Sequence, residues 1–383
     1  MRIPSEADFA SRLRSAAVTA RVGLWLGVCF GICFVTGLVS HYAQNADHPI
    51  AFPASPVWGY RVTQGLHVTT GTAAVPLLLV KLWTVYPRLF LRPARGARRL
   101  LLDALERGSI GVLVAAAVFQ LATGLANAAQ WYPWSFSFRS THYAIAWVAI
   151  GALLLHVAVK LPVIRGALAA GVEDTAYDRP SATEPGVLSR RGLLRTAWLA
   201  AGVAVLATAG STVPVLRRVS VLGVRSGDGP MGMPVNKSAA AAGVTASATS
   251  ADYRLTVAHG GREVALTRAD LAAMPQSTRT LPIACVEGWS ANGTWTGVPV
   301  RDLLDLVGAP RGADVLVSSL QESGPYTTIV LHASFADDER TLLALALGGE
   351  PLAIDHGYPA RVIAPDRPGV LQTKWVRRIE VAA

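Results

Sequence analysis

The chain has 383 residues, of which 51% are hydrophobic and only 16% are charged. A composition this apolar excludes an ordinary soluble enzyme and indicates that part of the chain lies in a lipid bilayer. The formal net charge is +10. The basic residues flank the apolar segments and do not form a run interleaved with aromatic residues, so the sequence does not favour nucleic-acid binding.

Five apolar segments have the length of about 20 residues that crosses a bilayer. They are residues 22–42, 66–86, 108–130, 142–162 and 196–216. No small-residue cleavage pattern follows the first segment, so we interpret it as a retained anchor and not as a signal peptide. Arginines are concentrated before the first span and between the second and third, and the positive-inside rule therefore places the chain beyond the fifth span outside the cytoplasm.

The first four spans resemble two copies of one helical hairpin. The tripeptide TGL occurs at residues 36–38 and again at 123–125, and the apolar stretch that starts at His67 is echoed by the stretch that starts at His142. A tandem repeat of this kind predicts a four-helix bundle with a pseudo-twofold axis. Such a bundle suits a cofactor held between equivalent helices.

Histidines inside membrane spans are costly and therefore indicate a functional site. His67 and His142 lie at the same depth near the outer face, where two neutral imidazoles can bind both axial positions of a haem iron. We predict one haem b at this pair. The alternative is that both histidines only form hydrogen bonds between helices.

Two other histidines are alternative haem ligands. His41 lies at the outer end of the first span, and His156 lies four helical turns beyond His142, about 21 Å along the helix. That spacing is typical of a two-haem cytochrome. The repeat counterpart of His156 is Lys81, however, so a second pair of histidines cannot be completed.

The fifth span is preceded by the sequence SRRGLLR at residues 189–195. This sequence resembles the twin-arginine export signal, which carries folded, cofactor-loaded domains across the membrane. Paired arginines before a span also occur as plain positive-inside anchoring. We favour export, because four spans return the chain to the cytoplasm and the fifth leads out again.

The region beyond the fifth span contains one cysteine, Cys285. In an oxidising compartment a lone thiol is either buried and inert or held by a metal. The stretch LPIACVEGWSANGTWTGVPVRDLL and the later stretch LGGEPLAIDHGYPARVIAPDRPGVLQTKWVRRIEV resemble the molybdopterin-binding domain of the sulfite oxidase family. The CVEGWS form is most similar to the periplasmic methionine sulfoxide reductase branch of that family, and the resemblance covers about residues 252–381.

The resemblance implies a set of site residues. Cys285 looks like the thiolate ligand of molybdenum, and Tyr326 aligns with the tyrosine that faces the oxo group of the metal. Further cofactor contacts are implied at Asn236, Ser319, His356, Arg361, Gln372, Thr373 and Lys374. The arginines with which sulfite oxidases grip an oxyanion are not visible, although Arg367 is a candidate. Taken singly, each of these residues also fits an ordinary structural role.

The predicted fold is therefore an all-α membrane four-helix bundle plus a fifth anchor helix, followed by an α+β sulfite-oxidase-type molybdopterin-binding domain. Two low-complexity stretches, at residues 173–186 and 239–251, are interpreted as linkers. The predicted domains are a cytochrome b-like region at 1–165, a cytoplasmic linker at 166–188, the signal and anchor at 189–216, an extracytoplasmic linker at 217–251, and the molybdopterin-binding oxidoreductase domain at 252–383.

These features imply a multi-pass cell-membrane enzyme whose C-terminal domain is extracytoplasmic and carries molybdopterin with molybdenum. Its expected partners are membrane quinone or quinol, a small oxo substrate, and the twin-arginine and general membrane insertion machinery. The expected reaction is the reduction of a sulfoxide-like or N-oxide-like substrate. Sulfite oxidation that delivers electrons to quinone is one alternative, and a non-catalytic redox sensor or assembly protein is another.

Overall fold

The computed structural model describes residues 5–45, 50, 52–91, 96–179, 182, 184–223 and 229–382, so parts of both predicted linkers lie outside the described residues. The chain divides into two compact units. The first comprises Met1–Gly37, Leu66–Ala209 and Val219–Leu222, and the second comprises Leu38–Gly65, Gly210–Arg218 and Gly223–Ala383.

The long helices are α1 (Ala16–Ala43), α2 (Gly59–Val85), α3 (Ala97–Ala128), α4 (Phe138–Ala169) and α5 (Arg190–Thr208). Within the described residues, five helices are long and apolar enough to cross a membrane. This finding confirms the five predicted segments. Their bounds differ from those of the apolar runs, because helical hydrogen bonding continues through polar turns that hydropathy does not detect. The fifth helix ends at Thr208 and not at 216, shortly before Pro214, which has no N–H to continue a helix.

In the first unit, small side chains allow close packing of α1, α2 and α5. Cys29, Ala74, Leu77, Ala197 and Ala201 form one buried cluster between these helices, as is common where membrane helices approach closely. Helix α3 lies beside α4, and Phe34 of α1 meets Trp147 of α4 edge to face with ring centroids 4.9 Å apart. The pseudo-twofold arrangement of the first four helices stays a prediction.

The second unit is built on two sheets. Its strands are β1 (Leu255–His259), β2 (Arg262–Leu266), β3 (Ser277–Ala284), β4 (Ser290–Pro299), β5 (Val315–Ser319), β6 (Thr328–Leu331), β7 (Leu342–Leu347), β8 (Glu350–Pro351), β9 (Arg361–Ile363) and β10 (Val376–Val381). One sheet has the order β2-β1-β10-β5-β6, and the other has the order β3-β4-β7-β8 with β9 also paired to β7. The short helices are α6 (Thr245–Thr249), α7 (Arg268–Ala273), α8 (Val300–Leu306) and α9 (Ala333–Ala336).

Apolar residues from both sheets form the main core of this unit. Leu255 and Val257 of β1, Val317 of β5 and Leu343 of β7 are fully buried in one cluster. The alternating burial of β5 is what the two-residue period of a strand produces when one face of the sheet is covered. The helical region is thus followed by a sheet-rich domain, as the sequence predicts.

The stretch at residues 239–251 is not an open linker. Ala239, Val244 and Ala248 are buried against Trp375, the residue that precedes β10. The alanine-rich composition suggested a linker, but small side chains also let a short helix, α6, lie close against an indole ring. The second unit therefore extends well before residue 252.

Candidate functional site

The CVEGWS motif forms the loop that joins β3 to β4. The two strands pair without a break from Ser277 with Gly297 to Ala284 with Ser290. The Cys285 N–H donates to the Trp289 carbonyl over 2.8 Å, and the Gly288 N–H donates to the Cys285 carbonyl over 3.1 Å. Gly288 has a φ of +80°, a conformation that a glycine adopts without a steric penalty. The hairpin thus holds Cys285 in one fixed place.

The Cys285 side chain is only 1% exposed. Its Sγ lies 3.8 Å from Oε2 of Glu287, and the same carboxylate oxygen accepts a hydrogen bond of 3.1 Å from Nε1 of Trp289. Glu287 and Trp289 were not selected from the sequence, although both stand inside the quoted motif. The thiol therefore has an ordered polar neighbour on its own loop.

Cys285 opens onto a narrow cleft in the second unit. The cleft is lined by Met233, Pro234, Asn236, Ile283, Cys285, Trp289, His356, Arg361, Gly369 and Lys374. Five of these, Asn236, Cys285, His356, Arg361 and Lys374, were predicted as metal or cofactor residues, and they come from three parts of the sequence: the segment around Asn236, the CVEGWS motif, and the later stretch that begins LGGEP. The other predicted residues, Ser319, Tyr326, Gln372 and Thr373, do not line the cleft.

His356 is a neutral imidazole in this cleft. Burial lowers the pKa of His356 to about 4, so the ring carries no charge at neutral pH. Its Nε2 lies 2.7 Å from the Pro230 carbonyl oxygen, which can only accept a hydrogen bond. Nε2 therefore carries the proton, and Nδ1 keeps its lone pair.

Two cations accompany His356. Arg361 donates to the carbonyls of His356 and Gln372 over 3.1 and 3.2 Å, and Lys374 Nζ donates to the carbonyls of Lys237 and Asp355 over 2.8 Å each. Burial lowers the pKa of Arg361 to about 9 and that of Lys374 to about 7. Their partners are neutral carbonyls, so this side of the cleft favours an anion.

Three predicted contacts support the loop that carries Lys374. Ser319 Oγ donates to the Lys374 carbonyl over 2.8 Å. The amide group of Gln372 is bonded to the N–H and carbonyl of Ala364, at 2.8 Å each, so this side chain is directed into the protein. The Thr373 carbonyl accepts a hydrogen bond from the Val362 N–H over 2.9 Å. These residues hold the loop in place. Lys374 is the loop residue that lines the cleft.

Tyr326 and Arg367 lie outside the cleft lining. The Tyr326 hydroxyl donates to the Gln44 carbonyl over 3.4 Å. Arg367 is 3% exposed and donates to the carbonyls of Leu371 and Val330. The guanidinium of Arg367 thus donates its hydrogen bonds to backbone carbonyls inside the domain and does not face the cleft, where it could bind a substrate anion.

The predicted haem ligands face each other in the first unit. The ring centroids of His67 and His142 are 6.4 Å apart. Nδ1 of His67 lies 3.1 Å from Oγ1 of Thr36, and Nδ1 of His142 lies 3.1 Å from Oγ1 of Thr123. The same threonine of the repeated TGL tripeptide thus holds the same ring nitrogen in both halves.

The threonine hydroxyls settle which ring nitrogen carries the proton. Thr36 Oγ1 donates to the Ile32 carbonyl over 2.6 Å, and Thr123 Oγ1 donates to the Phe119 carbonyl over 2.7 Å. Each hydroxyl therefore accepts from the Nδ1–H of its histidine, which leaves the Nε2 lone pair of His67 and of His142 for a metal.

The alternative ligands have other surroundings. The ring of His41, in the last turn of α1, meets the ring of Tyr42 edge to face at 5.5 Å. His156 lies on α4, and its repeat counterpart Lys81 donates from Nζ to the Thr19 carbonyl over 2.9 Å.

The first arginine of the paired arginines is part of the folded first unit. Arg190 is 3% exposed and forms an ion pair with Asp178. Its Nε donates to the Arg12 carbonyl over 3.0 Å, and its Nη1 donates to the Asp174 carbonyl over 2.9 Å. Arg191 is exposed. Arg190 thus has a structural role that the export motif did not indicate.

Residues 241–383 match the family model of the oxidoreductase molybdopterin binding domain. We call this part of the chain the molybdopterin domain.

Two curated relatives and one solved structure illustrate the similarity. The chain is 32% identical over 112 residues to YedZ1 of Azospira oryzae, a putative protein-methionine-sulfoxide reductase subunit. The alignment covers 29% of this chain and 42% of that protein. It is 31% identical over 160 residues to the mitochondrial sulfite oxidase of Drosophila melanogaster, and this alignment covers 34% of this chain and 27% of that protein. The crystal structure of the sulfane dehydrogenase SoxCD from Paracoccus pantotrophus has 27% identity and a TM-score of 0.32, and covers 34% of this chain and 38% of that one.

The chain spans less than half the length of each of these proteins. The similarity of residues 241–383 is to an oxidoreductase domain that binds molybdopterin.

The residues of the molybdopterin domain fit the cofactor for which the matching family model is named. The cleft combines one thiol, a soft ligand suited to molybdenum, with Arg361 and Lys374, which suit a phosphate. Within the described residues, Nε of Arg361 and Oγ1 of Thr373 are buried without a hydrogen-bond partner. Arg361 lines the cleft, so its Nε–H is available to a polar ligand there.

Proposed function

We propose that the chain is a membrane-bound, molybdopterin-dependent oxidoreductase that reduces a sulfoxide-like or N-oxide-like substrate with electrons drawn from quinol through haem b. The observation that carries this proposal is the convergence of Cys285, His356, Arg361 and Lys374 on one cleft of the molybdopterin domain. Molybdopterin with molybdenum, bound in that cleft, supplies oxygen-atom transfer.

Each cleft residue has a defined task in the proposed enzyme. Cys285 provides the thiolate for the metal, and the β3–β4 hairpin fixes its position. Neutral His356 offers Nδ1 as a hydrogen-bond acceptor, because Nε2 is bonded to the Pro230 carbonyl. Arg361 and Lys374 bind the phosphate of the cofactor, and Ser319 holds the loop on which Lys374 lies.

His67 and His142 are proposed to hold haem b, which supplies one-electron transfer when bound. A metal held between these two rings, with a bond of about 2 Å to each imidazole, would place the ring centroids roughly 6 Å apart. The observed 6.4 Å fits that arrangement. Gly37 supports it further, because a Cβ at this position would lie 3.2 Å from Cε1 of His67. A larger residue there would displace the ring.

The sulfite oxidase relative supports a second candidate, the oxidation of sulfite with electrons delivered to quinone. The reductive direction is preferred for two reasons. The name of the Azospira relative refers to sulfoxide reduction, and the guanidinium of Arg367 is bonded to backbone carbonyls instead of facing a substrate anion.

A direct test uses the purified full-length protein. We expect molybdenum and pterin in near-equal amounts to the protein, together with a b-type spectrum that quinol reduces and a small sulfoxide reoxidises. Reduction of the haem by sulfite would support the second candidate instead. Protein that contains no molybdenum after expression in a cofactor-producing cell would contradict both and would favour a redox sensor or assembly protein.

Cofactor retention should depend on pH through Lys374. Its pKa of about 7 reflects burial, and only the protonated ammonium attracts a phosphate, so retention should fall as the pH rises through neutrality. Pterin content after dialysis at about pH 6 and about pH 8 measures this effect. Lys374→Gln should retain less cofactor and lose the pH dependence, whereas Lys374→Arg should keep cofactor at both values.

Lys237→Gln is the matched control for this prediction, because its Nζ is bonded to Gln321 and does not line the cleft. A wild-type protein that retains pterin equally at both pH values would show that Lys374 does not bind the phosphate.

Export of the molybdopterin domain should depend on the paired arginines. We expect a reporter fused after Ala383 to lie outside the cytoplasm, and Arg190→Lys combined with Arg191→Lys to block its translocation while the first four spans stay inserted. Because Arg190 also pairs with Asp178, the exposed Arg191 gives the cleaner single variant, and Arg191→Lys should lower export by itself.

Asp178→Asn is the control for the structural role of Arg190. It removes the ion pair but leaves the signal intact, so export should continue. Unimpaired export of the double arginine variant would exclude a twin-arginine signal.

A further inference from the structure

A cavity lies at one end of the helices of the first unit, where α1 and α5 begin and α4 ends. Its volume is about 360 Å³. Leu24 of α1, Leu77 of α2, Leu168 of α4 and Leu194 of α5 lie in its lining. Leu24 is 47% exposed, so the cavity is open to the surroundings of the helices. Around helices that cross a membrane, those surroundings are lipid.

Two tryptophans form one wall of the cavity. Trp25 of α1 and Trp198 of α5 both line it, and their rings meet edge to face with centroids 4.7 Å apart. Both side chains are exposed. Tryptophan is enriched where membrane helices meet the head-group layer, because an indole combines an apolar ring with an N–H donor. The cavity thus has side chains that are typical of a lipid–water interface.

Arg21 brings a positive charge to the same cavity. Its Nη1 donates to the carbonyls of Ala17 and Ala167 over 3.2 and 2.9 Å, and its Nη2 donates to the Ala170 carbonyl over 2.7 Å. Ala167 and Ala170 lie at the carboxyl end of α4, so Arg21 caps that helix. These acceptors are neutral carbonyls, which leave the charge of the guanidinium uncompensated.

Two more arginines lie on the face of α5 that lines the cavity. Residues three, four or seven apart share one face of a helix. Arg191 precedes Leu194 by three residues and Trp198 by seven, and Arg195 precedes Trp198 by three. Both arginines are exposed. The cavity therefore combines an apolar lining with basic side chains at the same end of the helices.

Carboxylates at this end of the helices have other partners. Asp178 forms an ion pair with Arg190, and Glu173 forms one with Arg12 over 3.1 Å. Among the residues that the structure describes, no carboxylate pairs with Arg21 or with the two exposed arginines of α5. Their positive charge is therefore left for an anion from outside the chain.

We propose that this cavity binds one anionic phospholipid of the bilayer. The phosphate lies among Arg21, Arg191 and Arg195, and an acyl chain lies along the leucines of the lining. Basic pockets between membrane helices on the cytoplasmic side bind anionic head groups, and the positive-inside rule predicts that this end of the helices is cytoplasmic. A quinone ring also fits an apolar lining, but it is neutral and would leave the three arginines without a counter-charge.

The lipid site is continuous with the contacts that hold α5 to α1 and α2. Ala197 and Leu77 line the cavity and also belong to the buried cluster that contains Cys29, Ala74 and Ala201. Side chains this small bury little apolar area. A lipid bound between α1, α4 and α5 extends this contact, so its removal should lower the thermal stability of the protein.

The test uses the full-length protein, purified in detergent and stripped of lipid. Native mass spectrometry measures the dissociation constants of phosphatidylglycerol and phosphatidylcholine with the same acyl chains, which differ in net charge. We expect one phosphatidylglycerol per chain to bind at least about tenfold more tightly, because each basic residue near a membrane surface strengthens the binding of an anionic head group about fivefold. Equal dissociation constants for the two lipids would overturn the proposal.

Arginine variants of α5 test the position of the phosphate. Arg191→Gln and Arg195→Gln should each weaken the binding of phosphatidylglycerol about fivefold and leave that of phosphatidylcholine unchanged. The matched control is Arg98→Gln, which removes an exposed arginine from the start of α3. None of the described residues that line the cavity belongs to α3. The proposal fails if Arg98→Gln weakens binding as much as the α5 variants do. Arg21 is left unchanged, because it also caps α4.

A tryptophan variant tests the site without a change of charge. Trp198→Phe keeps an aromatic ring and removes the N–H donor, so it should bind phosphatidylglycerol about fivefold more weakly. Trp131→Phe makes the same exchange at an exposed residue between α3 and α4 and should leave the affinity unchanged. Unchanged affinity in Trp198→Phe and in both α5 arginine variants would contradict the proposed site.

Thermal unfolding provides a second measurement. Phosphatidylglycerol should raise the Tm of the wild-type protein more than phosphatidylcholine does, and Arg191→Gln combined with Arg195→Gln should abolish that difference. Neither a quinone analogue nor inorganic phosphate should displace the bound lipid. Displacement by the quinone analogue would assign the cavity to quinone, and displacement by phosphate would assign it to a free anion. Either result would overturn the proposal.

Discussion

Cys285→Ser is expected to lower sulfoxide reduction to below about one hundredth of the wild-type rate, because even outer partners of metal ligands contribute 10–100-fold. A serine hydroxyl is hard and poorly ionised, so it cannot replace the soft thiolate that molybdenum requires. Pterin should remain bound, since His356, Arg361 and Lys374 are unchanged. In this variant quinol should still reduce the haem, but an added sulfoxide should no longer reoxidise it.

Cys33→Ser provides the matched control, because it makes the same atomic exchange on α1, where Sγ lies 3.1 Å from Oγ1 of Thr70 and a hydroxyl is easily accommodated. Its turnover should stay close to that of the wild-type protein. Wild-type turnover in Cys285→Ser, with sulfoxide or with sulfite, would show that Cys285 is not a molybdenum ligand needed for the reaction.

His67→Ala and His142→Ala are each expected to abolish the reduced-minus-oxidised spectrum of haem b. In the proposed site each variant would remove one of the two histidines that would hold the haem, and one remaining imidazole would not be enough to hold it. Optical spectra of membranes that contain equal amounts of each protein measure the effect. His156→Ala should keep most of the signal, because its repeat counterpart is Lys81 and no second histidine pair exists in the repeat.

Thr36→Ala and Thr123→Ala refine this test. Thr123→Ala removes the hydroxyl beside Nδ1 of His142, whereas Thr36→Ala leaves the Cys33 carbonyl oxygen, which also lies 3.0 Å from Nδ1 of His67. Haem should be bound in both variants with an altered midpoint potential, and the larger change is expected in Thr123→Ala. A spectrum that survives in His142→Ala would mean that the ligand pair is wrong, and His41 would then be the next residue to replace.

The sequence predicts those parts of the site in which a reactive residue and the residues that hold it in place are close together in the chain. Cys285 lies in a hairpin loop whose glycine and tryptophan stand within four residues of it, so the quoted motif contains most of what holds the thiol. The same is true of His356 and Arg361, which are bonded to each other through the His356 carbonyl.

Contacts between distant parts of the chain could not be predicted in this way. The acceptor for His356 is the Pro230 carbonyl, and one acceptor for Lys374 is the Lys237 carbonyl. Backbone carbonyls have no residue identity, so no pattern of residue types reveals them. The sequence also treated residues 38–65 as membrane helix ends and a loop, because hydropathy reports burial in lipid or protein without distinguishing them.

The hairpin repeat lies between these two cases. The matching TGL tripeptides and histidines were visible in the sequence, and they predicted a paired site. That the threonine, and not the glycine or leucine, bonds to the histidine became clear only from the distances to Nδ1. A repeat indicates which positions are equivalent, but not which atoms interact.

The packing of residues 239–251 against Trp375 determines where the chain can be divided. A soluble fragment that begins at Asp252 would lose Ala239, Val244 and Ala248 and would expose the indole next to Lys374. It would also lose the Pro230 carbonyl, which accepts a hydrogen bond from His356, and the Lys237 carbonyl, which accepts one from Lys374. A fragment intended to bind cofactor without the membrane helices therefore has to start before Pro230.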